Sequence, residues 1–293
     1  MTFPRLMTAM ITPYDENLKV NLTKAGELAE YLCNNGSEGI VVCGTTGESP
    51  VLSSDEKLEL YSTVQKRVGD RAMVWAGTGS NNTDSTIKLS REAEKTGVKG
   101  IMLVVPYYNK PSQEGLYQHF KKIADSLSVP VMLYNIPGRT NCNMIPDTVA
   151  RLAAVDNILA LKESSGDMDQ MSLLNNTLKG KITVYSGDDS LTLPMMALGA
   201  HGVVSIASHL AGKKIKAMID AFTAGKIAEA RELHSILFPI FKGLFITTNP
   251  VPLKAALNML GMEVGGLRLP LCQANEKEMQ FIRELLLKYD LLK

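Results

Sequence analysis

The chain has 293 residues, 45% of them hydrophobic and 21% charged, which is the make-up of an ordinary globular protein. Its formal net charge of +1 leaves no basic excess for nucleic acid or an anionic membrane. The four cysteines (Cys33, Cys43, Cys142, Cys272) and four histidines (His119, His201, His209, His234) are scattered without metal-ligand spacing, so no metal is expected. Reduced thiols in the cytoplasm fit that cysteine usage best. Met1–Tyr14 holds two prolines and no long apolar core, unlike a signal peptide. No apolar run approaches the roughly 20 residues of a membrane span.

Short apolar runs alternate with longer amphipathic ones. Strands are expected at Leu6–Ile11, Gly39–Cys43, Ala72–Ala76, Gly100–Val104, Val129–Tyr134, Ile158–Lys162, Ile182–Tyr185 and Gly202–Ser205. They lack clear polar alternation, as strands covered on both faces do. Helices are expected between them. Leu22–Asn34 is closed by Asn35-Gly36. Ser53-Ser54-Asp55-Glu56 reads as a capping box opening a helix to Arg67. Thr83–Thr96, Ser112–Ser126, Pro146–Ala154, Asp167–Leu178 and Ser190–Leu198 follow. Eight such alternations point to an α/β fold, a (β/α)8 TIM barrel. An open doubly wound sheet would be expected to carry a glycine-rich nucleotide loop after its first strand, where this chain has Thr12-Pro13-Tyr14-Asp15. After the eighth strand the alternation stops. Ala211–Ala224, Ile227–Leu244, Pro252–Leu260 and Asn275–Tyr289 read as helices, giving a barrel over 1–224 and a C-terminal α-helical appendix over 225–293.

Chemistry in a TIM barrel gathers at the carboxyl ends of the strands. Strand six ends in Lys162. Alternation puts Ile158, Ala160 and Lys162 on one face, so an ammonium stands above a small alanine. Such a lysine either leaves the strand for water or serves as a nucleophile in a closed site. Strand five ends in Tyr134, which shares a face with Met132 and should lie within reach of Lys162. A phenol beside an amine can shuttle protons as a carbinolamine forms and collapses. Strand two leads into Gly44-Thr45-Thr46-Gly47-Glu48, whose hydroxyls and N–H groups suit a carboxylate, and the Thr45 hydroxyl could relay a proton. A turn satisfying its own backbone is the plainer explanation of that stretch. Arg139 carries a fork suited to a carboxylate. Tyr107 and Tyr108 sit in a loop stiffened by Pro106 and Pro111, where a tyrosine pair can also mark a subunit contact. Together these groups fit a Schiff-base site for a 2-oxo acid. A phosphate-sugar isomerase barrel would need a phosphate loop where Gly187-Asp188-Asp189 would repel one. A non-catalytic barrel would have no use for both Lys162 and Tyr134.

The motifs Gly44-Thr45-Thr46-Gly47-Glu48, Pro106-Tyr107-Tyr108-Asn109, Tyr134-Asn135-Ile136-Pro137-Gly138-Arg139-Thr140 and Leu161-Lys162-Glu163-Ser164-Ser165-Gly166 occur here in one order. With Asn249-Pro250-Val251-Pro252 and Leu269-Pro270-Leu271 in the tail, the chain resembles the dihydrodipicolinate synthase and N-acetylneuraminate lyase family of class I aldolases. The resemblance implies that Lys162 forms a Schiff base with pyruvate and that Tyr134 donates and accepts protons. It implies a relay through Thr45 to Tyr108, with Tyr108 reaching in from a neighbouring subunit of a homotetramer built as a dimer of dimers. Thr46 would bind the pyruvate carboxylate, with the Val204 backbone and Gly187 lining the same pocket. No cofactor is implied beyond the covalent adduct. In this family an arginine at the place of Arg139 marks members that take L-aspartate-4-semialdehyde, whose carboxylate it binds. Sialic-acid and sugar-acid lyases generally lack it. The implied reaction is the condensation to 4-hydroxy-tetrahydrodipicolinate in lysine and diaminopimelate biosynthesis. Lysine-inhibited members carry histidines just after the Thr-Thr-Gly-Glu segment and a glutamate after the third strand. The matching positions here are Ser54, Lys57 and Ser85, with Asn81 and Tyr107 retained, so inhibition by lysine is expected to be weak or absent.

Overall fold

A computed structural model describes residues 3–292 of the chain. Eight parallel strands close into a barrel in sequence order. They are β1 (Leu6–Ala9), β2 (Gly39–Val42), β3 (Met73–Gly77), β4 (Gly100–Val104), β5 (Val131–Asn135), β6 (Ile158–Glu163), β7 (Thr183–Ser186) and β8 (Gly202–Ser205). Outside them run α1 (Leu22–Asn34), α2 (Ser54–Val68), α3 (Thr83–Lys95), α4 (Gln113–Ala124), α5 (Pro137–Thr140), α6 (Pro146–Leu152), α7 (Met168–Leu178), α8 (Thr192–Ala197) and α9 (Ser208–Thr223). Three further helices follow, α10 (Ile227–Gly243), α11 (Val251–Met259) and α12 (Glu276–Lys288). The TIM barrel with a helical C-terminal segment is the fold expected from the alternation. The capping box also forms: the Ser53 side chain accepts from the Glu56 N–H, and the Glu56 side chain accepts from the Ser53 N–H.

Alternation along each strand splits the apolar residues in two. Met7, Ala9, Val41, Trp75, Met102, Met132, Tyr134, Ala160, Tyr185 and Val204 fill the lumen. Residues such as Ile40, Val42, Val74, Leu103, Leu133 and Leu161 turn outward onto the helices. Trp75 occupies so much of the lumen that a Cβ at Gly100, its register partner on β4, would strike the indole ring. The lumen is therefore a packed plug between the two ends of the barrel.

Local chemistry moves several boundaries. β5 begins at Val131 instead of Val129, because Pro130 has no N–H to give the ladder. β1 stops at Ala9 and the chain swings toward the C-terminal segment, where the Tyr14 N–H bonds the Val264 carbonyl. The helix expected over Ser190–Leu198 is a 3-10 turn (Asp189–Leu191) followed by α8. α9 starts at Ser208, ahead of the expected Ala211, with a kink at Ala211. The one-turn helix α5, opened by Pro137 right after β5, went unread in the sequence. Beyond the barrel, α10 packs along α9, and α12 lies against α10 and α11.

Candidate active site

The ends of β5 and β6 set the geometry. Tyr134 and Lys162 are register partners on these neighbouring strands, one step above Met132 and Ala160. Both point into the barrel mouth, and both are buried. The Lys162 Nζ lies over the Tyr134 ring, 4.2 Å from its centroid. The next residue on each strand faces the other way. Asn135 and Glu163 are buried outside the barrel wall, where the Asn135 Nδ2 donates to Glu163 Oε2 at 3.0 Å. Glu163 also accepts from the Gln170 amide at 3.3 Å and from the Ser165 N–H at 2.6 Å. The carboxylate adjacent to Lys162 in sequence is thus committed elsewhere and clamps the two strand ends together. Among the described residues Lys162 has no ion pair and no hydrogen bond, an unusual state for a buried amine.

Gly187 follows β7, and its N–H donates to the Glu163 carbonyl at 2.8 Å. A Cβ there would come 2.8 Å from Lys162 Cε and also strike the Ser164 side chain. Any larger residue here would have to displace the Ser164 side chain and the lysine stem, which passes against the Gly187 backbone. Val204 faces the same lumen from β8. Asp189, beyond Gly187, is turned to the end of β8, accepting from the N–H groups of Ile206 (3.0 Å) and Ala207 (3.1 Å) and from the Ser205 hydroxyl.

A cavity of about 290 Å3 opens above Tyr134. Thr45, Tyr107, Tyr134, Ile136, Arg139 and Lys57 line it, among others. No aspartate or glutamate is in the lining, and Lys57 and Arg139 are its charged members. That charge balance favours anionic ligands. Burial lowers the Lys57 pKa. Lys162 itself is not in the lining, but its Nζ lies over the ring of Tyr134, which is. Among the described residues, neither the Thr45 nor the Thr46 N–H donates to a protein acceptor, although the turn closes through Gly47 N–H to the Gly44 carbonyl (3.1 Å). The Gly47, Glu48 and Ser49 N–H groups are used within the turn, and those of its two central residues, Thr45 and Thr46, are left for another acceptor.

The structure does not bring every candidate together. Tyr108 is 89% exposed on its loop, with φ at 75°, and stands away from the cavity of its own chain. No hydrogen bond joins Thr45 to Tyr134 or Tyr108 among the described residues. Thr46 is buried, with its hydroxyl accepting from the Asn249 Nδ2 at 3.0 Å. Arg139 donates to the Asn249 carbonyl at 3.4 Å. The sequence marks Asn249 only as part of the Asn249-Pro250-Val251-Pro252 stretch and gives no sign of its contact with both residues. Among the described residues, no group of three or more His, Cys, Asp and Glu side chains could hold a metal. No described helix is long and apolar enough to cross a membrane.

A parallel eight-stranded barrel with an unpaired buried lysine at the end of strand six, beside a tyrosine on strand five, defines a class of enzyme: a TIM-barrel lyase of the class I aldolase type. The comparisons with known proteins are more specific. The model of the dihydrodipicolinate synthetase family matches residues 2–288. A 4-hydroxy-tetrahydrodipicolinate synthase from Heliobacterium modesticaldum is 58% identical over 291 residues, covering 99% of this chain and 97% of that protein. The crystal structure of a dihydrodipicolinate synthase from Bacillus anthracis is 48% identical, with a TM-score of 0.95 and 98% of each chain covered. The enzyme from Cyanidioschyzon merolae, solved with lysine bound, is 43% identical, with a TM-score of 0.97 and 99% of each chain covered. The chain belongs to the dihydrodipicolinate synthetase family.

Proposed function

We propose that the protein condenses pyruvate with L-aspartate-4-semialdehyde to give 4-hydroxy-tetrahydrodipicolinate and water, through an imine on Lys162. The observation that carries this reading is the Lys162–Tyr134 pair: a buried amine with no protein partner, 4.2 Å from the ring of a phenol that opens onto a cavity free of carboxylates. The Lys162 amine adds to the C2 carbonyl of pyruvate, and the carbinolamine loses water. The iminium gives up a methyl proton and becomes an enamine, whose carbon attacks the aldehyde of the second substrate. The amine of that substrate then adds to the imine carbon, closes the ring and displaces Lys162. Tyr134 carries the protons of these steps, with the Thr45 hydroxyl as relay. The N–H and hydroxyl of Thr46 bind the pyruvate carboxylate, Gly187 and the Val204 backbone line the same pocket, and Arg139 takes the carboxylate of the semialdehyde. No cofactor is needed beyond the covalent adduct.

The barrel (1–224) is the catalytic unit and 225–293 its appendix. The working form is a homotetramer in which Tyr108 serves a neighbour's site, a role suited to a tyrosine so exposed on its own chain. A reducing cytoplasm suits the four free cysteines. Inhibition by lysine is weak or absent, because Lys57 adds positive charge at the mouth and Ser54 and Ser85 offer no carboxylate to a cationic ligand. Titrating lysine into the assay tests this, and strong inhibition at submillimolar lysine would contradict it. The reaction itself is tested by a coupled assay with pyruvate and aspartate semialdehyde on the wild type and Lys162→Ala. Turnover is expected with the former and not the latter; a wild type that turns over sugar acids but not the semialdehyde would overturn the substrate assignment.

A further inference from the structure

Asn249 lies between α10 and α11, in the C-terminal segment, and is 3% exposed. Its side chain and its backbone reach different members of the site. The Nδ2 amide donates to the Thr46 hydroxyl oxygen, and the main-chain carbonyl accepts from the Arg139 guanidinium. A hydroxyl has one proton to give and two lone pairs to receive. With the amide occupying a lone pair, the Thr46 proton is left for another acceptor, and among the described residues Thr46 donates to none. The Thr45 and Thr46 N–H groups are free as well. Three donors therefore converge at one turn, and the direction of one of them is set from outside the barrel.

We propose that Asn249 is a positioning residue that fixes the Thr46 hydroxyl as a donor toward the substrate carboxylate while anchoring Arg139. This rests on the reading above, in which Thr46 and Arg139 meet the carboxylates of the two substrates. It gives the C-terminal segment a part in substrate binding that no strand-end motif reveals. The contact is directional: an acceptor in place of the amide would capture the Thr46 proton and take it from the substrate.

Asn249→Asp makes that change at nearly constant shape. The pyruvate concentration for half-maximal borohydride trapping of the full-length enzyme, and the pyruvate KM, should rise about tenfold or more, with kcat changed far less. Lowering the pH until the introduced carboxylate is protonated restores a donor, so the variant's trapping midpoint should move back toward the wild-type value. A packing defect would not respond in this way. Asn249→Ala, which removes the donor without adding charge, should raise the midpoint less, and without the pH recovery. In a Thr46→Val background the Asn249→Asp change should add little further loss. If either folded Asn249 variant traps pyruvate at the wild-type midpoint, the inference is wrong. If the wild type itself is not trapped by pyruvate, the functional reading fails instead, so the two failures are distinguishable.

Discussion

Among the described residues two lysines are buried, in similar surroundings and opposite circumstances. Lys162, at the barrel mouth, is 5% exposed, and Lys254, on α11, is 1% exposed. Each holds its ammonium over a tyrosine ring, Lys162 at 4.2 Å from the Tyr134 centroid and Lys254 at 4.0 Å from that of Tyr14. Lys254 is fully answered. Its Nζ lies 2.7 Å from Glu48 Oε1 and donates to the Gly266 carbonyl at 2.7 Å. The Arg268 N–H donates to the other Glu48 oxygen at 3.1 Å. Even so, burial lowers its pKa to about 8. Lys162 has no such partners among the described residues. Burial and an aromatic neighbour are common to both; what separates the two is whether the protein supplies an anion. Lys254 ties the turn after Thr46 to the C-terminal helices, and Lys162 is left without a protein partner.

The sharpest way to break this contrast is to remove each amine. Lys162→Ala should lose activity by at least about a thousandfold. Its thermal stability should stay within about 1 kcal/mol of wild type, because an unpaired buried amine contributes little to the fold. Lys254→Ala should behave the other way. It leaves the Glu48 carboxylate buried without a cation, at a cost of about 3–5 kcal/mol in chemical denaturation. Equal stability losses in the two variants would dissolve the distinction.

The two tyrosines extend the comparison with a smaller effect. If the phenol carries protons as proposed, Tyr134→Phe should lower kcat about a hundredfold or more. The Tyr14 hydroxyl is buried without a hydrogen-bond partner, so Tyr14→Phe should leave kcat unchanged and shift stability by no more than about 1 kcal/mol.

A further effect is a pH dependence of stability. The folded pKa of Lys254, about 8, lies below its ordinary 10.5. Between those values the unfolded chain binds more protons than the folded one, so stability rises with pH across that window. Below about pH 8 the full cost of burying the charge is present. The gain through the window is on the order of 3 kcal/mol if this lysine acts alone. Denaturation curves of wild type against Lys254→Met at pH 7 and pH 10 isolate it, and the variant should lack the rise.

Much of this was legible in the sequence, for a physical reason. A strand's alternation is local, so the facing of Lys162 with Ala160 and of Tyr134 with Met132 could be read directly, and barrel order made the two strands neighbours. The eight strands were found because each is covered on both faces and reads as an unbroken apolar run. Their ends shifted where backbone hydrogen bonding decided, as at Pro130. Asn249 and Lys254 were not legible as parts of the site's surroundings. Their partners Thr46 and Glu48 lie near the other end of the chain, and neither residue breaks the pattern of its own segment. Lys254 in particular reads as an ordinary residue of an expected helix, and no local rule distinguishes it from a solvated lysine.

Lys162, alone of the two buried lysines, is expected to act as the nucleophile. Borohydride reduction of the wild-type enzyme with pyruvate, followed by peptide mass mapping, tests it most directly. One reduced pyruvate adduct per chain is expected, on Lys162, with Lys254 unmodified. An adduct on Lys254 or any other lysine, or labelling undiminished in Lys162→Ala, would contradict it.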